Sequence, residues 1–151
     1  MLDQIRDLYQ EVVFDHNRNP RNFRVMENAN RKIEGFNPLC GDRITLYVKI
    51  NEGVIEDVSF QGSGCAISTA SASLMTEIVR GQTEQEAEHL FELFHRITTG
   101  KDGDAVNLDD IGKLAVLAGV RAYPARVKCA TLAWHSLQSA LKNEHETIST
   151  E

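Results

Sequence analysis

Cysteine and aspartate are the residues of this chain best suited to metal or sulfur chemistry. Three cysteines occur in 151 residues, and two of them, Cys40 and Cys65, stand beside glycines and other small residues. Small neighbours let the backbone and a reaction partner come close, and a thiolate is both a nucleophile and a metal ligand. Cys40, Cys65 and Cys129 are therefore candidate site residues.

Asp42 adds an oxygen ligand to these sulfurs. One glycine separates it from Cys40, so an extended backbone with a local kink can turn both side chains towards one ion. Three sulfurs and one oxygen suit tetrahedral zinc. The residues thus predict a zinc site formed by Cys40, Asp42, Cys65 and Cys129, in which the hard oxygen ligand exchanges most readily.

The charge of such a site makes nearby cations useful. Four anionic ligands outweigh the charge of a divalent ion, so Arg43, Arg126 and Lys128 are expected to help keep the thiols ionised. A zinc ion that holds every thiolate would be structural, whereas one that releases Cys40 would free a nucleophile. Without a C-x-x-C pair, cysteines that merely fill space in the core remain an open alternative.

Composition narrows the class of protein. A length of 151 residues with 42% hydrophobic content predicts one domain with a core of ordinary size. The start of the chain lacks the pattern of a secretory signal, so we expect a cytoplasmic protein. In that reducing compartment an odd number of cysteines favours free thiols, metal ligands or redox chemistry. The net charge of −6 argues against nucleic acid as a partner. The absence of a signal-like start or a long apolar stretch argues against a membrane.

The elements that must position these residues begin with an amphipathic helix and continue with strands. A first short strand is expected from Arg31. Apolar residues then alternate along 44–50 and 54–60, on either side of a turn at 51–53. This alternation predicts a β-hairpin with one buried face.

Helical patterns dominate the rest of the chain. Apolar residues share one face along 67–78. Thr83 and Glu86 form a capping box that predicts the start of the next helix. A further helix is predicted from 109 to 119, and the last begins at Pro124, a residue suited to a first helical turn.

Together these patterns predict a β-hairpin, one further short strand and about five helices in a single domain over 1–142. The polar tail, 143–151, is expected to fray. The five histidines are spread over several helices and are expected mostly at the surface or at helix ends.

This map places the three cysteines at one pole of the molecule. Cys40 falls in the loop that opens the hairpin, and Cys65 falls between its second strand and the next helix. The start of the first strand lies beside the end of the second in an antiparallel hairpin, so these two cysteines are expected to meet. Cys129, on the first or second turn of the last helix, would join them when that helix packs on the sheet.

Three motifs at these residues resemble the IscU/SufU family of iron-sulfur cluster assembly proteins, also called NifU N-terminal-like. They are NPLCGD at 37–42, GSGCAIS at 62–68 and ARVKCATLAW at 125–134. The resemblance runs from the opening helix to about Leu141. It implies an α+β fold, with a small antiparallel three-stranded sheet packed against about five helices. It also implies a site at one end, made from the three cysteines and Asp42.

Within that family the chain is similar to the SufU branch. Lys128 stands where IscU proteins have a histidine, and 100–123 resembles an insertion that SufU proteins carry. The resemblance implies a zinc-dependent sulfurtransferase that works with a cysteine desulfurase, a SufS-like pyridoxal-phosphate enzyme. It also implies that Cys40 accepts the persulfide sulfur while Asp42, with the other two cysteines, completes the zinc site. Arg126 resembles a family arginine that orients or neutralises the sulfur anion.

Three other interpretations stay open. The same ligands could form an IscU-like scaffold, on which a transient iron-sulfur cluster is built and passed to downstream assembly proteins. Zinc could instead only clip the hairpin to the last helix, as in a structural module. The glycines at 62–64 also match part of a phosphate-binding loop, although they lack a full nucleotide-binding fingerprint.

Overall fold

The structure, a computed structural model, describes residues 2–38, 41–99, 124–142 and 148–149. In chain order the elements are α1 (Leu2–Arg18), β1 (Arg31–Asn37), β2 (Asp42–Asn51), β3 (Val54–Ser63), α2 (Ala66–Val79), α3 (Glu84–Thr99), α4 (Pro124–Leu141) and β4 (Ile148–Ser149). Cys40 and the helix predicted for 109–119 lie outside the described residues. The α+β class predicted from the sequence is confirmed.

The sheet has the strand order β3-β2-β1-β4. Strand β2 pairs antiparallel with β1 on one side and with β3 on the other, which confirms the predicted three-stranded antiparallel sheet. The short strand β4 pairs parallel with β1 at Gly35 and Phe36. It lies in the tail that the sequence predicts to be frayed, so this part of the tail has a defined place at the sheet edge.

Buried and more exposed residues alternate along the strands, so one face of the sheet is buried. Ile33, Ile44, Leu46, Val48 and Phe60 are buried at relative exposures of 5% or less. Helix α4 packs on β1 and β2, α2 packs on β3, and α1 and α3 pack against these two helices. This arrangement places the inner helices, α2 and α4, directly against the apolar face.

A glycine in β1 lets α4 approach the sheet closely. A Cβ atom built at Gly35 would overlap the Ser136 hydroxyl and lie 2.9 Å from a methyl group of Ile44. Any side chain at this position would therefore push the helix away from the strand. The close approach matters because the same helix carries Cys129.

The described residues form four helices, one fewer than the sequence predicted, because the predicted 109–119 helix lies outside them. The capping box is present: the Glu86 amide donates to Thr83 Oγ1, and the Thr83 amide donates to Glu86 Oε1, both over 3.1 Å. Helix α4 begins at Pro124, as expected from the sequence. None of the described helices has the length and apolar character required to cross a bilayer.

A polar contact joins α1 to α2. His16 lies in the last turn of α1, a helix end as expected, yet it is 4% exposed. Its Nδ1 lies 2.7 Å from Ser73 Oγ, which also accepts the Arg21 backbone N–H over 2.8 Å. Glu77 Oε1 lies 3.6 Å from His16 Nε2. The buried polar atoms thus partner one another between the two helices.

Candidate metal centre

Three of the four predicted ligands converge at one end of the sheet. One ligand atom each from Asp42, Cys65 and Cys129 lies within 4.8 Å of the other two. Asp42 and Cys129 are fully buried, and Cys65 is half-buried. The fourth predicted ligand, Cys40, lies outside the described residues.

A tight turn between β1 and β2 places Asp42. The backbone N–H of Gly41 donates to the carbonyl of Asn37 over 2.9 Å, and Gly41 adopts a positive φ of 74°. This left-handed conformation favours glycine and supplies the kink expected before Asp42. Asn37 and Asp42 are then directly opposite each other at the end of the β1–β2 pairing.

Cys65 occupies the N-cap of α2. Its sulfur accepts the backbone N–H of Ser68 over 3.4 Å, and its own N–H donates to Asp42 Oδ1 over 2.8 Å. A helix N-terminus has unpaired N–H groups and the positive end of the helix dipole. It therefore favours the thiolate form of Cys65.

Cys129, on the second turn of α4, completes the described part of the site from the other side. Its sulfur lies 3.4 Å from Nδ2 of Asn37, which donates also to Asp42 Oδ2 over 3.1 Å. Asn37 is fully buried. Asn37 was not among the residues predicted for the site, and its position at the head of the NPLCGD motif was the available signal.

Two glycines before Cys65 are required by close packing. A Cβ atom at Gly62 would overlap the carbonyl of Arg43, and one at Gly64 would overlap the carboxylate of Asp42. These residues end β3 and lead into α2. Their smallness is thus explained by the approach of β2 and of Asp42, with no need for a phosphate ligand.

A side-chain hydrogen bond joins Cys65 and Cys129. The hydrogen bond from Cys129 lowers the pKa of Cys65 to about 6, from an ordinary value of 9.0, and the Ser68 N–H adds to this effect. Burial and the Asp42 carboxylate oppose the shift in the pKa of Cys65. Near neutral pH the metal-free protein therefore presents Cys65 as a thiolate, the form that binds metals.

The basic residues expected near the site lie in different settings. The guanidinium of Arg43 lies over the Phe36 ring, 5.2 Å from its centroid. Arg126 is exposed and Lys128 is half-buried, both on α4 shortly before Cys129. The roles predicted for these cations remain predictions.

The donor set fits zinc. Two sulfurs and a carboxylate oxygen are ligands that zinc prefers, and a zinc site with three protein ligands keeps a fourth position for water or a reacting group. Softer thiolate sites also accept iron-sulfur clusters. The arrangement can thus hold a metal with one position left for a further sulfur.

Comparison with known sequences also links this chain to metal and sulfur chemistry. Residues 8–130 match the family described as "NifU-like N terminal domain". The chain is 41% identical over 137 residues to the zinc-dependent sulfurtransferase SufU of Bacillus subtilis (strain 168), covering 91% of each chain. It is 40% identical over 141 residues to the iron-sulfur cluster assembly scaffold protein IscU of Streptococcus pyogenes serotype M1, covering 93% of this chain and 87% of the relative.

A solved structure agrees with the fold. The chain aligns with a crystal structure from Fervidobacterium islandicum AW-1, described as an iron-sulfur cluster assembly scaffold protein for the SUF system. The TM-score is 0.83 at 36% identity, over 89% of this chain and 96% of that one. The match over 8–130 and these relatives place the chain in the family of NifU-like N-terminal domains, the IscU/SufU proteins of iron-sulfur cluster assembly.

Proposed function

We propose that this protein is a zinc-dependent sulfurtransferase that accepts persulfide sulfur from a cysteine desulfurase for iron-sulfur cluster assembly. The observation that supports it best is the meeting of Asp42, Cys65 and Cys129 within 4.8 Å. The 41% identity to a protein named as a zinc-dependent sulfurtransferase adds to it. The same naming favours zinc as the resident metal.

The chemistry assigned to Cys40 is a sulfur exchange. Its thiolate attacks the terminal sulfur of a persulfide on the desulfurase cysteine, and a new sulfur–sulfur bond forms on Cys40. The bond between the desulfurase cysteine and that terminal sulfur breaks, and the desulfurase cysteine leaves as a thiolate. The persulfide proton travels with the transferred sulfur, so no external oxidant or reductant is needed.

The remaining residues prepare this exchange. Bound zinc would supply a Lewis acid that keeps its thiol ligands ionised near neutral pH. Asp42 would complete the ligand set with Cys65 and Cys129, and its harder oxygen is the ligand most easily displaced by sulfur. Arg126, exposed at the start of α4, would orient or neutralise the incoming sulfur anion.

The partner implied is a SufS-like pyridoxal-phosphate desulfurase, and the sulfur would pass on to downstream cluster-assembly proteins. Cysteines that bind a metal and form no disulfide suit the reducing cytoplasm, which is where we place this activity. Neither nucleic acid nor a membrane has a part in the proposed reaction.

Zinc content and sulfur acceptance test the proposal together. The purified protein is expected to hold one zinc per chain and to stimulate desulfurase turnover, with a persulfide detected on Cys40 by mass spectrometry. Cys40→Ser should lose the stimulation and keep the fold. Metal-free native protein, or a Cys40→Ser variant that stimulates normally, would reject the proposal. In the second case zinc would have only a structural role and would join the hairpin to the last helix.

The scaffold function is the second candidate, favoured by 40% identity to a protein named as an IscU scaffold. Anaerobic incubation with iron, cysteine and a desulfurase separates the two. A stable cluster absorbance, followed by transfer to an apo ferredoxin, would support the scaffold. Bound zinc that persists through the incubation, with sulfur on Cys40, would support the sulfurtransferase.

A further inference from the structure

Asn37 makes side-chain hydrogen bonds to two metal-site residues that come from different elements. Its Nδ2 donates to Asp42 Oδ2 over 3.1 Å and to Cys129 Sγ over 3.4 Å, 92 positions away. A carboxylate and a metal-bound thiolate can only accept hydrogen bonds. The two hydrogens of the amide nitrogen therefore match two acceptors that belong to one candidate metal site.

The Asp42 carboxylate is held on both oxygens. Oδ1 accepts the Cys65 backbone N–H over 2.8 Å, and Oδ2 accepts the Asn37 side chain over 3.1 Å. The two donors approach from different elements, so they fix the rotation of the carboxyl group. Each oxygen keeps a further lone pair with which to bind a metal.

A second asparagine, beside the same pair of strands, has a purely structural role. Asn30 lies just before β1, where its Nδ2 donates to the Ile50 carbonyl over 2.7 Å and its Oδ1 accepts the Ile50 amide over 2.9 Å. These bonds continue the pairing between β1 and β2 and reach only backbone. Asn37, by contrast, is fully buried and donates to two candidate ligands.

We propose that Asn37 is a positioning residue of the metal centre, which orients Asp42 and Cys129 for one ion and offsets their negative charge in a buried site. This inference rests on the proposed function only in taking these residues as metal ligands. Partners that hydrogen-bond to metal ligands fix ligand orientation and tune the metal, and their loss typically lowers metal affinity by about 10- to 100-fold.

The test compares Asn37→Ala with Asn30→Ala, each measured as full-length folded protein. Zinc affinity is measured by competition with a chromophoric chelator, and the ligand field by the absorption spectrum of the cobalt-substituted protein. Asn37→Ala should weaken zinc binding by about 10- to 100-fold and shift the cobalt bands. Asn30→Ala should change thermal stability while leaving both readouts at wild-type values.

Asn37→Ser provides a second variant. Its hydroxyl keeps one hydrogen-bond donor at this position, and it disturbs the packing less than alanine does. Its zinc affinity should lie between those of Asn37→Ala and wild type, and it decides the question if the alanine variant does not fold. Wild-type affinity with an unchanged cobalt spectrum, in a folded Asn37 variant, would overturn the inference.

The two proposals fail separately. If wild-type protein binds zinc but accepts no sulfur, the proposed function fails while the Asn37 measurements still stand. If sulfur transfer proceeds and Asn37→Ala binds zinc as tightly as wild type, only the positioning role fails.

Discussion

The backbone N–H of Cys65 donates a 2.8 Å hydrogen bond to Oδ1 of Asp42, which ties the cap of α2 to the first residue of β2. This contact uses main chain on one side, so it does not depend on the state of the Cys65 sulfur. The carboxylate is therefore oriented before any metal binds. Orientation in advance lowers the cost of organising ligands around the ion.

Gly64→Ala should damage the metal centre. The new Cβ atom would overlap the Asp42 carboxylate and lie 3.1 Å from the Asp42 Cα atom, so the carboxyl group must turn away. We expect zinc affinity to fall by at least about tenfold, as for other changes that misorient a ligand. Chelator competition measures this, with the exposed neighbour Ser63→Ala as the control. Equal affinities for the two variants would contradict the packing argument.

Cys65 in the zinc-free protein should react with iodoacetamide well below the usual pH for a thiol. Because the pKa of Cys65 is lowered to about 6, its alkylation rate should rise with a midpoint near that pH, not near 9.0. Peptide mass spectrometry separates this cysteine from the others. Cys129→Ala removes the largest cause of the shift, so it should move the midpoint upward. A midpoint unaffected by that variant would show that another group stabilises the thiolate.

The lowered pKa of Cys65 also predicts how the free energy of unfolding changes with pH. The folded state binds the Cys65 proton less tightly than the unfolded chain does, because the folded pKa is the lower one. The stabilisation from this residue is therefore fully present above pH 9 and is lost as the pH falls towards 6. Denaturant unfolding of the zinc-free protein across that range measures it, with Cys65→Ser as the reference.

Ser73→Ala should destabilise the fold far more than Ser59→Ala, although both serines are fully buried. Removal of the Ser73 hydroxyl leaves His16 Nδ1 and the Arg21 amide without this partner. The expected loss is about 1 to 3 kcal/mol of unfolding free energy. The Ser59 hydroxyl has no hydrogen-bond partner among the described residues, so its removal should cost little. Urea unfolding compares the two, and equal losses would count against the His16 contact as a source of stability.

His135 should make the fold weaker in acid. Burial first, and then the charge of His95, lower the pKa of His135 below its ordinary value of 6.5. The unfolded chain then binds this proton more tightly, so the stabilisation is complete above pH 6.5 and is lost as the pH falls. His135→Gln should flatten the decline in melting temperature, whereas the exposed His89→Gln should follow wild type. Parallel curves for all three proteins would assign the acid sensitivity to other groups.

Local patterns were enough to predict most of the fold. Alternating apolar residues predicted the strands, and the Thr83–Glu86 spacing predicted a cap that the structure contains. Antiparallel pairing alone predicted that Cys40 and Cys65 come to the same end of the sheet. Asp42, two positions after Cys40, contacts Cys65 at that end. Each of these inferences depends on residues close in sequence or on one known rule of sheet geometry.

Other features depend on contacts that local patterns do not encode. The two bonds of Asn37 reach across strand and helix, and an asparagine before a proline is ordinarily a turn residue. Strand β4 has only two residues, too few for an alternating pattern. His16 sits at a helix end, where the burial given by its contact with Ser73 has no sequence signature.

The candidate metal centre takes its described ligands from β2, the cap of α2 and α4, so Cys129 on α4 is the last of them to be translated. While a ribosome is still making the chain, Asp42 and Cys65 can emerge well before the helix that holds Cys129. A nascent chain therefore carries an incomplete site, exposed to oxidation and to the wrong metal. An ion can therefore meet all the described ligands only after α4 has been made and has packed against the sheet.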